Sequence, residues 1–198
     1  MTRTAYHHGN LREVALTEAL RILDDEGLAN LGLRRVARAA KVSHTALGRE
    51  FGNSNGLLAA MMARVLVELD ETQAKQVGDS TGLPAFRALG VGYITYGIAY
   101  PARIQLLSHP NLLEVLGDDE GLRQAYTSPR DRLLAAARAC QAEGSVRKVP
   151  EQRIAMLVWS AVHGFASLVS MDPSLFDPSM VDAFFEDLYL GVGDPAAR

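Results

Sequence analysis

The stretch that decides the fold is Leu33-Arg34-Arg35-Val36-Ala37-Arg38-Ala39-Ala40-Lys41-Val42-Ser43-His44-Thr45-Ala46-Leu47-Gly48-Arg49-Glu50-Phe51. Leu33, Val36, Ala37 and Ala40 repeat at i, i+3, i+4 and i+7, which is one face of a short α-helix. Lys41, Val42 and Ser43 interrupt the pattern, and Ser43 is a natural N-cap for a second helix from His44 to about Phe51. Leu47 and Phe51 lie one turn apart and point back at Val36, Ala40 and Val42. That leaves His44, Thr45, Gly48 and Arg49 on the opposite face. Two short helices joined by a tight turn can set the second helix into the major groove of DNA. Thr45 and Arg49 suit base edges or phosphates, and His44 sits where oriented N–H groups attract phosphate. A plain helical hairpin with a solvated polar face would show the same periodicity.

The pattern on either side is also helical. Leu11, Ala15, Ala19 and Leu23, with Leu16 and Leu20, predict an amphipathic helix from about Leu11 to Glu26, stopped by Gly27. Asn53 or Ser54 can cap a fourth helix with the stripe Leu58, Met61, Met62, Val65 and Leu69. Gly78 to Gly82 is a polar linker. A helix is expected from about Leu83 to Tyr100, and breaks around His109–Pro110 and Gly117–Gly121. Ser128–Pro129 should open another helix ending at Gly144. Glu151 to Ser170 is long and nearly all apolar, and Pro178 leads into a last helix through Leu190. No alternating strand pattern and no repeat is visible, so the expected class is all-α. The expected division is a head over 1–54, a connecting helix over 55–76 and a larger body over 77–198.

Charge separates head from body. Met1 to Arg64 carries nine Lys/Arg against six Asp/Glu, a net +3, whereas the remainder carries eleven against seventeen, a net −6. A basic head on an acidic body suits a head that meets phosphates. The composition, 48% hydrophobic and 22% charged, is that of an ordinary soluble globular chain. No apolar run is expected to approach the ~20 residues that span a bilayer. Thr2 to Asn10 lacks the apolar core of a signal peptide, so a cytoplasmic protein without a membrane partner is expected. The single cysteine, Cys140, excludes an intrachain disulfide, and no Cys/His spacing suggests a metal site.

The stretch Tyr6-His7-His8-Gly9-Asn10-Leu11-Arg12 resembles the opening of a TetR-family subgroup. Gly27-Leu28, Leu33 to Ala37, Val42 to Ala46, Arg49, Phe51 and Gly56-Leu57-Leu58 continue the likeness in order and spacing. The resemblance implies a homodimer whose third helix reads double-stranded, near-palindromic operator DNA while the starts of its first and fourth helices touch phosphates. On that basis the candidate DNA-binding residues are Arg34, Lys41, Ser43, His44, Thr45, Gly48, Arg49 and Ser54. The chain departs from the family at four of these or neighbouring positions. Gly48 stands where tyrosine is usual, Glu50 where histidine is frequent, and Ser54 where lysine is common. Lys41 holds a turn position that is usually glycine, where positive φ makes a side chain cost about 1 kcal/mol.

Trp159-Ser160-Ala161-Val162-His163-Gly164 resembles the signature of one TetR branch, named for its Trp-His-Gly residues. Trp159 and His163 are i, i+4 and share a helix face, and Gly164 is expected to let another helix approach closely. Tyr93, Tyr96 and Tyr100 form a stripe of phenols, and apolar walls with few polar tips are what a small-molecule pocket needs. The candidate lining set is Phe86, Tyr93, Tyr96, Tyr100, Leu107, Met156, Trp159 and His163. An aromatic stripe at this spacing also serves as plain core. The last two helices are apolar nearly all round and so should be buried on every side. The resemblance implies that they form a two-fold four-helix dimer interface.

The expected function is a ligand-responsive regulator, a repressor released by a small apolar or aromatic molecule. Catalysis is not expected: there is no phosphate-binding glycine loop, no His-Glu-x-x-His and no Gly-x-Ser-x-Gly, and no cofactor is implied. The alternative is a helical ligand-binding or interaction protein with a weakened DNA-binding head, which Gly48, Glu50 and Ser54 motivate.

Overall fold

Ser43 shows how closely local chemistry sets this chain. In the computed structural model its side chain accepts a hydrogen bond from the Ala46 amide at 3.1 Å, capping the helix that follows. The structure describes residues 8–109, 114, 115, 117, 120–172, 174, 176, 177 and 179–193. Of the residues singled out from the sequence, Tyr6, His7, Pro110 and Pro178 lie outside this set. The helices are α1 (His8–Glu26), α2 (Leu33–Ala39), α3 (His44–Phe51), α4 (Ser54–Val77), α5 (Gly82–Ala99), α6 (Pro101–Leu107), α7 (Glu120–Ala142), α8 (Glu151–Met171) and α9 (Ser179–Val192). A 3-10 turn, Leu28–Asn30, links α1 to α2. Among the described residues the sole β feature is an isolated bridge between Val146 and Gly193. The class is all-α, as the periodicity predicts.

The chain forms two compact units. One comprises the described residues to Val65 with Ala102–Leu122, and the other Leu66–Pro101 with Arg123 onward. The divisions therefore fall inside α4, after Pro101 at the start of α6, and inside α7, and α6 from Ala102 onward belongs with the head.

In the first unit α1 buries Ala15, Leu16, Ala19, Leu20, Ile22 and Leu23 and packs on α2, which in turn packs on α3; Val36 and Ala37 of α2 and Leu47 and Phe51 of α3 are buried with them. The end of α2 is a Schellman turn: the Val42 amide donates to Ala37 O at 3.0 Å and the Lys41 amide to Arg38 O at 3.3 Å. This places Lys41 at φ 55, the one positive-φ residue other than glycine among those described. Lys41→Gly is therefore expected to stabilise the protein by about 1 kcal/mol, since glycine adopts this conformation without a Cβ clash. Chemical denaturation would show it, and an unchanged midpoint would contradict it. At the start of α4, Asn53 rather than Ser54 is the cap, because its Oδ1 accepts from the Gly56 amide at 3.0 Å. Gly56 is required there: a Cβ would stand 1.9 Å from Phe51 O.

In the second unit α5 packs along α8, and α9 lies against α8. The glycines of α5 make these approaches possible. A Cβ on Gly90 would lie 2.6 Å from the Phe185 ring and 3.2 Å from Val162, and one on Gly92 would lie 2.8 Å from the Gln73 backbone. The expected close approach at Gly164 is not seen among the described residues, none of which lies within 4 Å of its Cβ position.

Two further expectations are corrected. α7 begins at Glu120, not at Ser128, and carries Pro129 inside it. The segment from Glu120 to Thr127 has an apolar anchor in the buried Leu122, and tertiary burial of this kind outweighs a local breaker. The helix Glu151–Met171 is, by length and composition, long and apolar enough to cross a membrane, with mean hydropathy 1.7. Its serines, alanines and glycine disguise the absence of any charged residue from Ile154 to Met171.

Candidate nucleic-acid interface and interior polar site

The turn and cap geometry just described fixes the direction of α3. Leu47 and Phe51 are buried against the core, while His44, Thr45 and Arg49 are exposed and Gly48 is half-exposed with open space around it. Arg34 of α2, Lys41 and Ser43 of the turn, and Ser54 at the first position of α4 are also exposed. All eight predicted DNA-binding residues thus lie on the surface of the first unit.

Ion pairing concentrates the positive charge of that surface. Arg35 is bound to Glu26, Arg64 to Glu13 at 3.1 Å, Arg12 to Glu50 at 3.1 Å, and Arg21 to Glu18 and Asp25. Arg103 of α6 holds Asp24 of α1 at 2.7 Å. Within the described residues, Arg34, Arg38, Lys41 and Arg49 carry no acidic partner. The cations left available lie on α2, the turn and α3, where a polyanion would be met. The Arg12–Glu50 pair, which joins residues 38 apart in sequence, could not be found by periodicity.

The second unit contains a polar thread in an apolar interior. Tyr93 Oη lies 2.7 Å from His163 Nδ1, with the rings edge-on at 6.0 Å. Burial pushes the Tyr93 phenol far above its ordinary value, with hydrogen bonding to Trp159 opposing part of that. Burial also lowers His163, so the ring is neutral near pH 7 and one nitrogen remains an acceptor. Tyr96 turns the other way and donates to Glu68 Oε2 of α4 at 2.9 Å, with the Tyr100 ring 5.1 Å from its own. The structure therefore brings Tyr93, Trp159 and His163 together and sets Tyr96 beside Glu68 with Tyr100 against its ring, with Phe86 in the core. Met156 is 60% exposed on the outward side of α8, away from this interior. Leu107 is half-buried on α6 in the first unit. Glu68 was missed from the sequence, although a lone carboxylate in Val65-Leu66-Val67-Glu68-Leu69 was its signal. A separate cavity of about 450 Å³ is lined by Gln76, Leu83, Pro84, Arg87, Val91 and Tyr189, among others, and shares no residue with the predicted set.

The lowered His163 value has a consequence for stability. An unfolded histidine takes up a proton as pH falls through 6.5, while His163 in the folded chain does not until lower pH. The unfolded state then binds more protons, so stability falls with pH across that window. His163→Gln is expected to remove this part of the slope. Denaturation midpoints between pH 5 and 7 that keep the same slope in both proteins would contradict it.

A helix-turn-helix head continued through one long helix into a second helical unit is the build of a DNA-binding transcription regulator. Comparison with known proteins gives the family. Residues 15–61 match the model for bacterial regulatory proteins of the tetR family, and residues 86–190 that for the tetracyclin repressor-like C-terminal domain. The chain is similar to a solved protein of unknown function from Rhodococcus sp. RHA1, at 26% identity over 97% of this chain and 100% of that one, TM-score 0.81. It shares its fold with a TetR family transcription regulator from Marinobacter aquaeolei VT8, at 15% identity, covering 94% and 97% of the two chains with TM-score 0.71. It also shares it with NalD, the secondary repressor of the MexAB-OprM multidrug efflux pump in Pseudomonas aeruginosa, at 17% identity, 94% and 98% coverage and TM-score 0.64. No curated protein matches the sequence. The chain belongs to the TetR family of transcription regulators.

Proposed function

We propose that the protein is a ligand-responsive repressor that binds a near-palindromic operator as a homodimer and leaves it when a small apolar or aromatic molecule enters the second unit. The exposed face of α3, with Arg34, Arg38, Lys41 and Arg49 around it carrying no acidic partner among the described residues, carries this reading. Thr45 and Arg49 read base edges, and Arg34, Lys41, Ser43, His44 and Ser54 meet phosphates beside the open backbone at Gly48. Residues 1–54 act as the DNA-binding domain, 55–76 connect, and 77–198 bind ligand and dimerise. Such a protein works in the cytoplasm and needs no cofactor.

The ligand site centres on Tyr93, Trp159 and His163, whose arrangement supports membership of the Trp-His-Gly branch. Phe86, Tyr96 and Tyr100 are the other aromatic residues of the proposed lining, and Leu107 and Met156 fit it least well. Apolar side chains with a neutral imidazole and a phenol favour an uncharged ligand with a hydrogen-bonding group. Release requires that the ligand favour the state whose heads cannot span two half-sites, because equal affinity for both states shifts nothing. Trp159 is the single tryptophan, so its emission should report binding. The dimer forms through outward apolar side chains of α8 and α9.

Footprinting on the DNA upstream of the protein's own gene and of its neighbour tests this reading. Protection of a palindromic segment, lost with Arg49→Ala, is the expected result. No protection at low salt would instead support a helical ligand-binding protein with a weakened head.

A further inference from the structure

Glu50 follows Arg49 on α3, but it does not share the exposed face with His44, Thr45 and Arg49. It is half-buried and turned towards α1, where it accepts a hydrogen bond from Arg12 Nη1 at 3.1 Å. The Arg12 guanidinium also lies over the Phe51 ring, 5.2 Å from its centroid. Arg12 is thus held on two sides, by a carboxylate and by an aromatic face, at the edge of the surface that carries Arg49. Its side chain is nevertheless 47% exposed, so a phosphate can approach it from solvent. An exposed pair of this kind is weak, and here the Phe51 ring holds the guanidinium from a second side.

We propose that Glu50 is an intramolecular competitor of the DNA backbone, keeping Arg12 from phosphate and so limiting how tightly the head binds. This rests on the DNA-binding reading and names a residue that tunes it. A cation that stays with its carboxylate neutralises no phosphate and releases no counterion from the duplex. Removing the carboxylate charge makes Arg12 available, and each phosphate neutralised adds about −0.9 to the slope of log affinity against log salt. The pairing also protects specificity: sequence-independent attraction is held down while the groove-facing side chains of α3 are left untouched.

The experiment needs no operator. Binding to a mixed-sequence duplex is measured from about 50 to about 200 mM salt for the full-length protein and for Glu50→Gln, Arg12→Ala, the double variant and Arg49→Ala. Glu50→Gln is expected to steepen the slope by about 0.9 per head. For a dimer, the affinity lost between those salt concentrations then grows about twelvefold relative to the parent. Arg12→Ala alone should leave the slope nearly unchanged, and the double variant should return to the parental slope. Circular dichroism confirms that each variant is folded. An unchanged slope in Glu50→Gln overturns the proposal. So does a steepened slope that survives in the double variant, because the carboxylate would then act without Arg12. A fall for Arg12→Ala as large as that for Arg49→Ala also overturns it, since Arg12 would already be on phosphate. If no protein binds and Arg49→Ala makes no difference, the DNA-binding reading fails with it.

Discussion

Replacing Phe185 by alanine is expected to destabilise the protein by about 3–5 kcal/mol, the cost of emptying a large aromatic site in a packed core. Phe185 is only 1% exposed. Its ring meets α5 at Gly90, where a Cβ would already be too close. It meets Phe184 edge-on and Tyr189 at a tilt, with centroids 5.2 and 6.1 Å away, and Arg87 lies over it at 5.5 Å. Truncation therefore removes the aromatic contacts and leaves a cavity that the α5 backbone is poorly placed to fill. The resemblance sets the last helix in an interface between subunits, but the structure assigns its Phe185 to the chain's own core. Urea unfolding at fixed protein concentration gives the value, since the stability of a dimer depends on concentration. A loss below about 1 kcal/mol would mean that the site collapses without cost or that the ring is not buried.

The second large effect concerns association. Leu168→Asp with Met171→Asp is expected to raise the dimer dissociation constant at least about a thousandfold while leaving the helical content unchanged. Leu168 is 58% exposed and Met171 is 79% exposed, so neither supports the fold of its own chain. Met156 and Leu157 of α8 and Met180 and Leu190 of α9 add to the exposed apolar surface of these two helices. In a two-fold interface each substitution counts twice. Four lost apolar contacts at roughly 1 kcal/mol each give about 4 kcal/mol, or about three decades in affinity, before like-charge repulsion is added. Sedimentation at micromolar concentration separates the outcomes. A variant that remains dimeric places the interface elsewhere, whereas a parent that is monomeric removes the dimer from the proposed function. Binding to a two-half-site operator should fall with the dimer, because the two heads are then no longer linked.

The sequence by itself determined the local structure of the head. The i, i+3, i+4, i+7 spacing of Leu33, Val36, Ala37 and Ala40, the Ser43 cap and the positive φ at Lys41 are set by interactions within a few residues. Such interactions are legible one turn at a time. The all-α class followed for the same reason. The direction of α8 did not, because a segment with no charged residue from Ile154 to Met171 carries little hydrophobic phase. Only the packing of α5 against α8, with Gly90 opposite Phe185 and Val162, shows which side faces inward. That packing buries Val158 and Val162 and leaves Met156 and Leu168 outside. The charge pattern divided in the same way. The excess of cations in the head could be counted, but which of them remain available depended on pairs such as Arg12–Glu50 and Arg103–Asp24. Those partners stand 38 and 79 residues apart, and only the tertiary fold brings charges so distant along the chain within hydrogen-bonding reach.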